Sequence, residues 1–390
     1  MALRSPDLHC MSIPAQTPPL LERSVPLESG LLHLVVSRAD LPLDDLCGFA
    51  SRRNRKRGFL FVSKVLGRHV PVPPNVMSRV HAALAAQIPA DLPGPVLFVG
   101  LAETAVALGH GVHDQFAAHT GRTDTLFLHT TRYRLQRPVL VEFLEEHSHA
   151  PSHILYQPAA PEHRHLLETA RSLVLVDDEA STGKTFINLT RALTPTMKSL
   201  ERVVTAVITD WRAPQLRAAF RDSMPVAASA VALLEGSYRF EPGAFEEGEE
   251  APPAIGTNSP VDTLLARNYG RLGVNTCPTL TPPDLGAVEG KRILVLGSSE
   301  FVYPPFLLAS ALERQGAVAF CQATTRSPVR VGGAISCALE FQDNYADGIT
   351  NYLYNARAED YDLVLICCET PQNHLDPRLL QSLNARIVQG

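Results

Sequence analysis

The chain has 390 residues, enough for two domains of ordinary size, and 45% of them are hydrophobic, which fits a folded globular protein rather than a disordered one. Its 35 basic and 40 acidic side chains leave a net charge of −5, which argues against a dedicated nucleic-acid binder, and no apolar run approaches a membrane span. The 7 cysteines include no C-x-x-C pair, and no secretory apolar segment opens the chain, so a reducing compartment, the cytoplasm, is expected.

Residues 1–42 are proline-rich and weakly periodic, and read as an N-terminal arm with Leu31 to Val36 as an edge strand. A basic cluster, Arg52 to Arg57, precedes Gly58-Phe59-Leu60-Phe61-Val62-Ser63-Lys64. This string departs from an RNA-recognition pattern at Leu60 and Lys64, so a solvated turn entering a core strand is the preferred reading. Lys64 and Arg68 follow that strand and are candidates for a hood over a ligand. Val76 to Ile88 has helical spacing, and Val96 to Gly100 is a short apolar run of strand length. Leu101-Ala102-Glu103-Thr104-Ala105 then opens a second helix, with Glu103 favourably placed in its first turn. Thr125 to His129 is the next strand, and it ends in Thr130-Thr131-Arg132. An arginine at a strand's C-terminal edge suits a bidentate anion, which singles out Arg132. Glu142 to His153 is rich in carboxylates and imidazoles, the groups suited to general acid and base work.

The most informative stretch is Leu173 to Thr185. Leu173-Val174-Leu175-Val176 is long enough for a buried strand and too short for a helix. Asp177 and Asp178 follow, then Glu179, Ala180, Ser181, Thr182, Gly183, Lys184 and Thr185, before apolar residues return at helical spacing. In an open α/β sheet, a loop at a strand's C-terminal end is where ligands bind. The helix-start amides suit a phosphate, and the acids, being acceptors only, suit paired hydroxyls such as ribose O2 and O3. Gly183-Lys184-Thr185 matches the end of a Walker A loop, but Asp178 stands where its first glycine belongs and would repel phosphate. Further strands at Arg202–Thr209 and Val226–Leu234 complete a five-stranded parallel core with crossover helices.

From Ser237 to about Pro260 the chain turns acidic and rich in Pro and Gly, and residues 237–285 read as a linker. A second α/β unit, 286–390, begins with a strand running into Gly297-Ser298-Ser299-Glu300, and a helix is expected from about Pro305 to Arg314. A strand at Val318 to Cys321 leads to Thr325-Arg326-Ser327-Pro328. Asp343-Asn344-Tyr345-Ala346-Asp347-Gly348-Ile349 is expected to open a helix, and Asp362 to Cys368 is a strand. Ser298, Ser299, Glu300, Thr325, Arg326, Ser327, Asp343, Asn344 and Asp347 at strand ends are candidates for a second phosphate or nucleotide site, with Arg326 its positive charge.

The order apolar strand, two acids, two variable residues, then Ser-Thr-Gly-Lys-Thr resembles the type I phosphoribosyltransferases. The resemblance implies a parallel sheet with flanking helices and a hood over residues 43–236, with 5-phosphoribosyl pyrophosphate as donor. Asp177 and Asp178 would hold the ribose hydroxyls, and Ala180, Ser181, Thr182, Gly183, Lys184 and Thr185 the 5-phosphate. Ala102, Glu103, Thr104 and Ala105 occupy the place of the pyrophosphate loop, with Arg132 beside it. Mg²⁺ would reach Asp177 and Asp178 only through the donor. The 6-oxopurine enzymes carry Asp where this chain has Ser181, which moves the acid and base role to Glu146 and His149 of the mobile loop and favours an orotate-like or unusual base. A non-catalytic sensor of phosphoribosyl pyrophosphate is the alternative, and a homodimer is left open.

Thr325-Arg326-Ser327-Pro328 is the tetrapeptide that names the TRSP domain, and Gly297-Ser298-Ser299-Glu300-Phe301 and Asp343-Asn344-Tyr345-x-Asp347-Gly348-Ile349 resemble its other motifs. That resemblance implies an orotate-phosphoribosyltransferase-like half joined to this domain, a pairing associated with bacterial tellurite-resistance and stress systems. Ser299 and Ala346 depart from the glycines expected at their positions.

Overall fold

The computed structural model describes residues 20–53, 57–144, 152–244 and 267–390. β1 (Leu21–Leu27) and β2 (Gly30–Ala39) form an antiparallel hairpin, with exposure alternating along β1 as a strand with one wet face requires. A helical turn, α1 (Leu43–Leu46), leads into the antiparallel pair β3 (Cys47–Ser51) and β4 (Phe59–Ser63). Every residue of β4 is buried, so Phe59 and Phe61 are not displayed for stacking on a base.

Strand and helix then alternate: α2 (Pro74–Gln87), β5 (Val96–Gly100), α3 (Val106–Thr120) and β6 (Thr125–His129). A hairpin of β7 (Val139–Leu144) and β8 (Ser152–Tyr156) interrupts the pattern. It resumes with α4 (Pro161–Thr169), β9 (Ser172–Ala180), α5 (Lys184–Leu193), β10 (Arg202–Asp210), α6 (Pro214–Ser223) and β11 (Ala227–Pro242).

The sheet order is β1-β2-β11-β10-β9-β5-β6, and the last five strands are parallel. Their apolar runs are buried on both faces, which is why they read as continuous rather than alternating. β11 runs past the expected end near Leu234 because β2 pairs antiparallel with its second half, across a register shift at Glu235/Gly236. β2 is therefore an interior strand, and the sheet's edge on that side is β1.

The second sheet is built from β12 (Arg292–Gly297), followed by α7 (Tyr303–Arg314), β13 (Val318–Ala323), an antiparallel pair β14 (Ala338–Gln342) and β15 (Thr350–Tyr354), β16 (Leu363–Cys368), α8 (Pro377–Leu383) and β17 (Arg386–Gln389). Its parallel order is β13-β12-β16-β17. The helix expected from Asp343 does not form. The Asp343 carboxylate instead accepts the amides of Tyr345 at 2.7 Å, Asp347 at 3.1 Å and Ile349 at 2.8 Å, while Ala346 and Gly348 take positive φ of 59° and 72°. A side chain that binds three amides in turn offers the backbone an alternative to the helix ladder.

The two sheets share a core. Val72, Met77 and Ala107 from the first half pack with Tyr269, Phe301, Phe306 and Cys321. The otherwise open edge of β13 is covered by the segment after β4, where Val72 and Cys321 exchange amide bonds of 3.0 and 2.8 Å and the Ala323 amide donates to Gly67 O. Among the described residues no helix is long and apolar enough to cross a membrane.

Candidate functional site

Register places the chemistry-bearing residues at one end of the first sheet. Gly100, the last residue of β5, lies level with Val176 of β9 and His129 of β6, so the loops after all three strands leave the sheet together. β9 does not stop at the apolar run: it carries Asp177 and Asp178 on extended backbone to Ala180, and both acids are half-buried. The Asp177 Oδ1 accepts the amide of Asp178 at 2.9 Å, and Asp178 Oδ1 accepts the Thr104 hydroxyl at 2.8 Å. Thr104 thus ties the loop after β5 to the acidic pair.

Beyond Ala180, whose carbonyl accepts the Trp211 amide, the chain turns through Ser181, Thr182 and Gly183 into α5. Gly183 takes φ +79°, and a Cβ there would stand 2.7 Å from the Phe220 ring, so glycine is required on both counts. Gly183 at the N-cap has no side chain to cap α5, and the Lys184 amide donates to Thr182 Oγ1 at 3.3 Å; around this turn Thr182 and Lys184 are exposed and Ser181 and Thr185 half-buried. Beneath the turn lies Arg212, fully buried and clamped to Asp210 through bonds of 2.9 and 2.7 Å. Its Nη1 has no hydrogen-bond partner and would lie 3.1 Å from a Cβ at Gly183. Arg212 also lines, with Asp210, Arg217, Phe220 and Glu235, a cavity of about 340 Å³ on the α6 side. Sequence reasoning passed over this residue. The signal available was an acid and an arginine two apart at the end of a strand.

The loop after β5 is held from several sides. The Ala102 amide donates to Thr130 Oγ1 at 2.8 Å, the Leu101 amide to Val176 O, and the Arg132 guanidinium to Ala102 O at 3.2 Å. Arg68 is 2% exposed and donates to Glu103 O at 2.7 Å and to its carboxylate at 3.1 Å. The same guanidinium donates to Ser299 O at 2.7 Å and Thr324 O at 2.6 Å of the second half. Of the two hood candidates, Arg68 therefore joins the cluster, whereas Lys64 is exposed and donates to Asp44 O. Glu146 and His149 lie outside the described residues.

The second-half candidates face this loop. Ser298, Ser299, Glu300, Thr325, Arg326 and Asn344 are all buried. Glu300 accepts the Thr131 hydroxyl at 2.5 Å and the Arg132 amide at 2.7 Å. The Tyr133 hydroxyl donates to Ser299 Oγ at 2.8 Å, and its ring stacks on Tyr345 at 4.0 Å. Asn344 donates to Thr370 and Ser298, and Ser327 donates its amide to Thr325 Oγ1, so these two serve the local turns. Asp347 lies 3.9 Å from Arg326. The set expected to make a separate site at strand ends is thus packed against the first-half loops, because the C-terminal ends of both sheets meet there.

Arg271, in the segment assigned to the linker, holds this junction. It is bidentate to Glu369 at 2.7 and 2.8 Å and reaches Glu300 at 3.0 Å. Burial works against charge on Glu300, but Arg271 and then His129, Thr131 and the Arg132 amide hold its carboxyl below the usual range. Behind the acidic pair, burial raises the Glu179 carboxyl despite its contact with Arg57.

Residues 46–237 match the family described as phosphoribosyl transferase, and residues 278–383 match the TRSP domain that follows it. Among solved structures, the chain is similar to adenine phosphoribosyltransferase from Rhodothermus marinus, with 16% identity, 49% of this chain and 97% of that one covered, and a TM-score of 0.29. It is also similar to the enzyme from Trypanosoma brucei in complex with AMP, pyrophosphate and ribose-5-phosphate, with 11% identity, 51% and 82% coverage, and a TM-score of 0.33. No curated protein matches the chain.

Proposed function

Because the chain belongs to the phosphoribosyl transferase family whose members carry a C-terminal TRSP domain, we propose that it transfers a 5-phosphoribosyl group between pyrophosphate and a nitrogen of an orotate-like or unusual base. The observation that carries this reading is the convergence of Asp177, Asp178, the Ser181–Thr185 turn and the Ala102–Ala105 loop at one end of the sheet.

In the transfer, the bond from ribose C1 to the pyrophosphate oxygen breaks with its electron pair leaving on oxygen, and C1 bonds to the base nitrogen, which sheds a proton. Asp177 and Asp178 accept the ribose hydroxyls, and the turn at Gly183 takes the 5-phosphate on its amides. Binding energy at that remote phosphate holds C1 in line for reaction. Arg132 and the backbone of Ala102–Ala105 take the charge that develops on the leaving group. Glu146 and His149, in the chain between β7 and β8, supply the acid or base for the nitrogen. Two adjacent half-buried carboxylates at the end of β9 fit a donor that carries its own Mg²⁺, which would neutralise the pyrophosphate charge. Cytoplasmic location and a role in tellurite or stress responses belong to the same reading.

The test is pyrophosphate release from phosphoribosyl pyrophosphate and Mg²⁺ with a panel of bases. Release with one base supports the transferase. Tight donor binding with no release from any base would support the sensor instead.

A further inference from the structure

At the junction of the two sheets, one guanidinium is ion-paired to two carboxylates at separations longer than a hydrogen bond. Arg326, in the loop after β13, is 7% exposed. Its Nε has no hydrogen-bond partner, lies 3.6 Å from Glu103 Oε2, and its Nη1 lies 3.9 Å from Asp347 Oδ2. Both separations exceed hydrogen-bond length. The guanidinium rests over the Tyr133 ring at 4.9 Å, so its plane is fixed from below.

Two other arginines in the molecule show what a structural pair looks like here. Arg271 is bidentate to Glu369 and Arg212 is bidentate to Asp210, all four bonds between 2.7 and 2.9 Å. Arg326 has the burial of those residues without their geometry. A buried guanidinium Nε left without an acceptor is costly, and an anion with several oxygens would satisfy it.

Where that anion would sit is set by Glu103. Its carboxylate, 10% exposed, lies between Arg68 at 3.1 Å and Arg326 at 3.6 Å. Glu103 belongs to the loop assigned to pyrophosphate, and Arg132 donates to the preceding carbonyl. Pyrophosphate carries more charge and more acceptor oxygens than a carboxylate, so it outcompetes Glu103 for the same cations.

The geometry points to Arg326 of the TRSP domain as a ligand of the donor's pyrophosphate group, with Glu103 as the internal carboxylate that gives way to it. This rests on the transferase reading and deepens it. The second domain then completes the donor site rather than binding a separate ligand, and the two halves must stay docked for the donor to bind.

The experiment is isothermal titration of the full chain with two separate probes, pyrophosphate with Mg²⁺ and ribose 5-phosphate, with thermal melts as a folding control. Arg326→Gln is expected to weaken pyrophosphate by about ten-fold or more, the range for one charge-assisted contact, and to leave ribose 5-phosphate unchanged. Glu103→Gln removes the competing charge and is expected to tighten pyrophosphate by roughly several-fold, an effect of opposite sign that a merely structural role would not produce. Should Arg326→Gln lose both probes together or fail to fold, Glu103→Gln decides. Unchanged or weaker pyrophosphate binding in Glu103→Gln, or unchanged pyrophosphate binding in a folded Arg326→Gln, overturns the assignment while ribose 5-phosphate binding keeps the transferase reading. A native chain that binds neither probe overturns both.

Discussion

The Thr104 hydroxyl donates to Asp178 Oδ1 across 2.8 Å, and this bond joins the loop after β5 to the acidic end of β9. On the proposed reading, donor binding needs both segments in register, since one would face the pyrophosphate and the other the ribose. Thr104→Val keeps the shape and removes the donor. A lost hydrogen bond to a charged group costs about 1.5–3 kcal/mol. Titration with phosphoribosyl pyrophosphate should therefore show affinity lower by about ten-fold or more, in a chain that still folds and melts a few degrees lower. Full affinity would mean that Asp178 is positioned without Thr104.

Gly183 is the second sensitive point. Gly183→Ala forces a side chain into positive φ and against Phe220, and the turn must move to admit it. The expected result is loss of ribose 5-phosphate binding in a chain that still folds, read by titration and circular dichroism.

The junction of the halves depends on Arg271, which neutralises both Glu369 and Glu300 in a buried setting. Arg271→Met strands two buried carboxylates, and breaking such a group by removing one partner costs about 3–5 kcal/mol. Denaturant unfolding should show a loss of that order. Adding Glu300→Gln and Glu369→Gln to the same chain should recover part of it.

Four histidines set the response to acid. Burial first of all pushes His69 and His110 down to about 3, and His81 and His129 down to about 4. Each binds its proton in the unfolded chain below about pH 6.5 and stays neutral in the fold, so stability is full above that pH and lost as pH falls toward 4. At pH 5 the loss is about 2 kcal/mol for each histidine. His110 stacks between Phe127 at 4.3 Å and Tyr303 at 4.1 Å, and neither of its ring nitrogens has a hydrogen-bond partner. His110→Phe should keep the stack and shrink the stability difference between pH 7 and pH 5 by about 2 kcal/mol, measured by urea unfolding at both.

β5, β6, β9 and β10 were legible because each carries a short apolar run buried on both faces, and the turn at Ser181–Thr185 because its residue order is local. What escaped is non-local. β2 reads as an edge strand since its pairing with Leu234–Pro242 depends on residues about 200 positions away. The helix expected at Asp343 failed because one carboxylate took three amides, which periodicity does not register. Arg271 sits in a stretch whose composition says linker, and only the meeting of the two sheets gives it partners. The same meeting brings Ser299, Glu300 and Arg326 onto the loops of the first half, whereas their spacing in the chain suggests a site apart.

The central claim is that Asp177 and Asp178 hold the ribose hydroxyls of the donor. Titration of phosphoribosyl pyrophosphate with Mg²⁺ into the Asp177→Asn, Asp178→Asn double variant tests it most directly. Binding is expected to be abolished while the melting curve stays native-like. Donor affinity equal to that of the unaltered chain would contradict it.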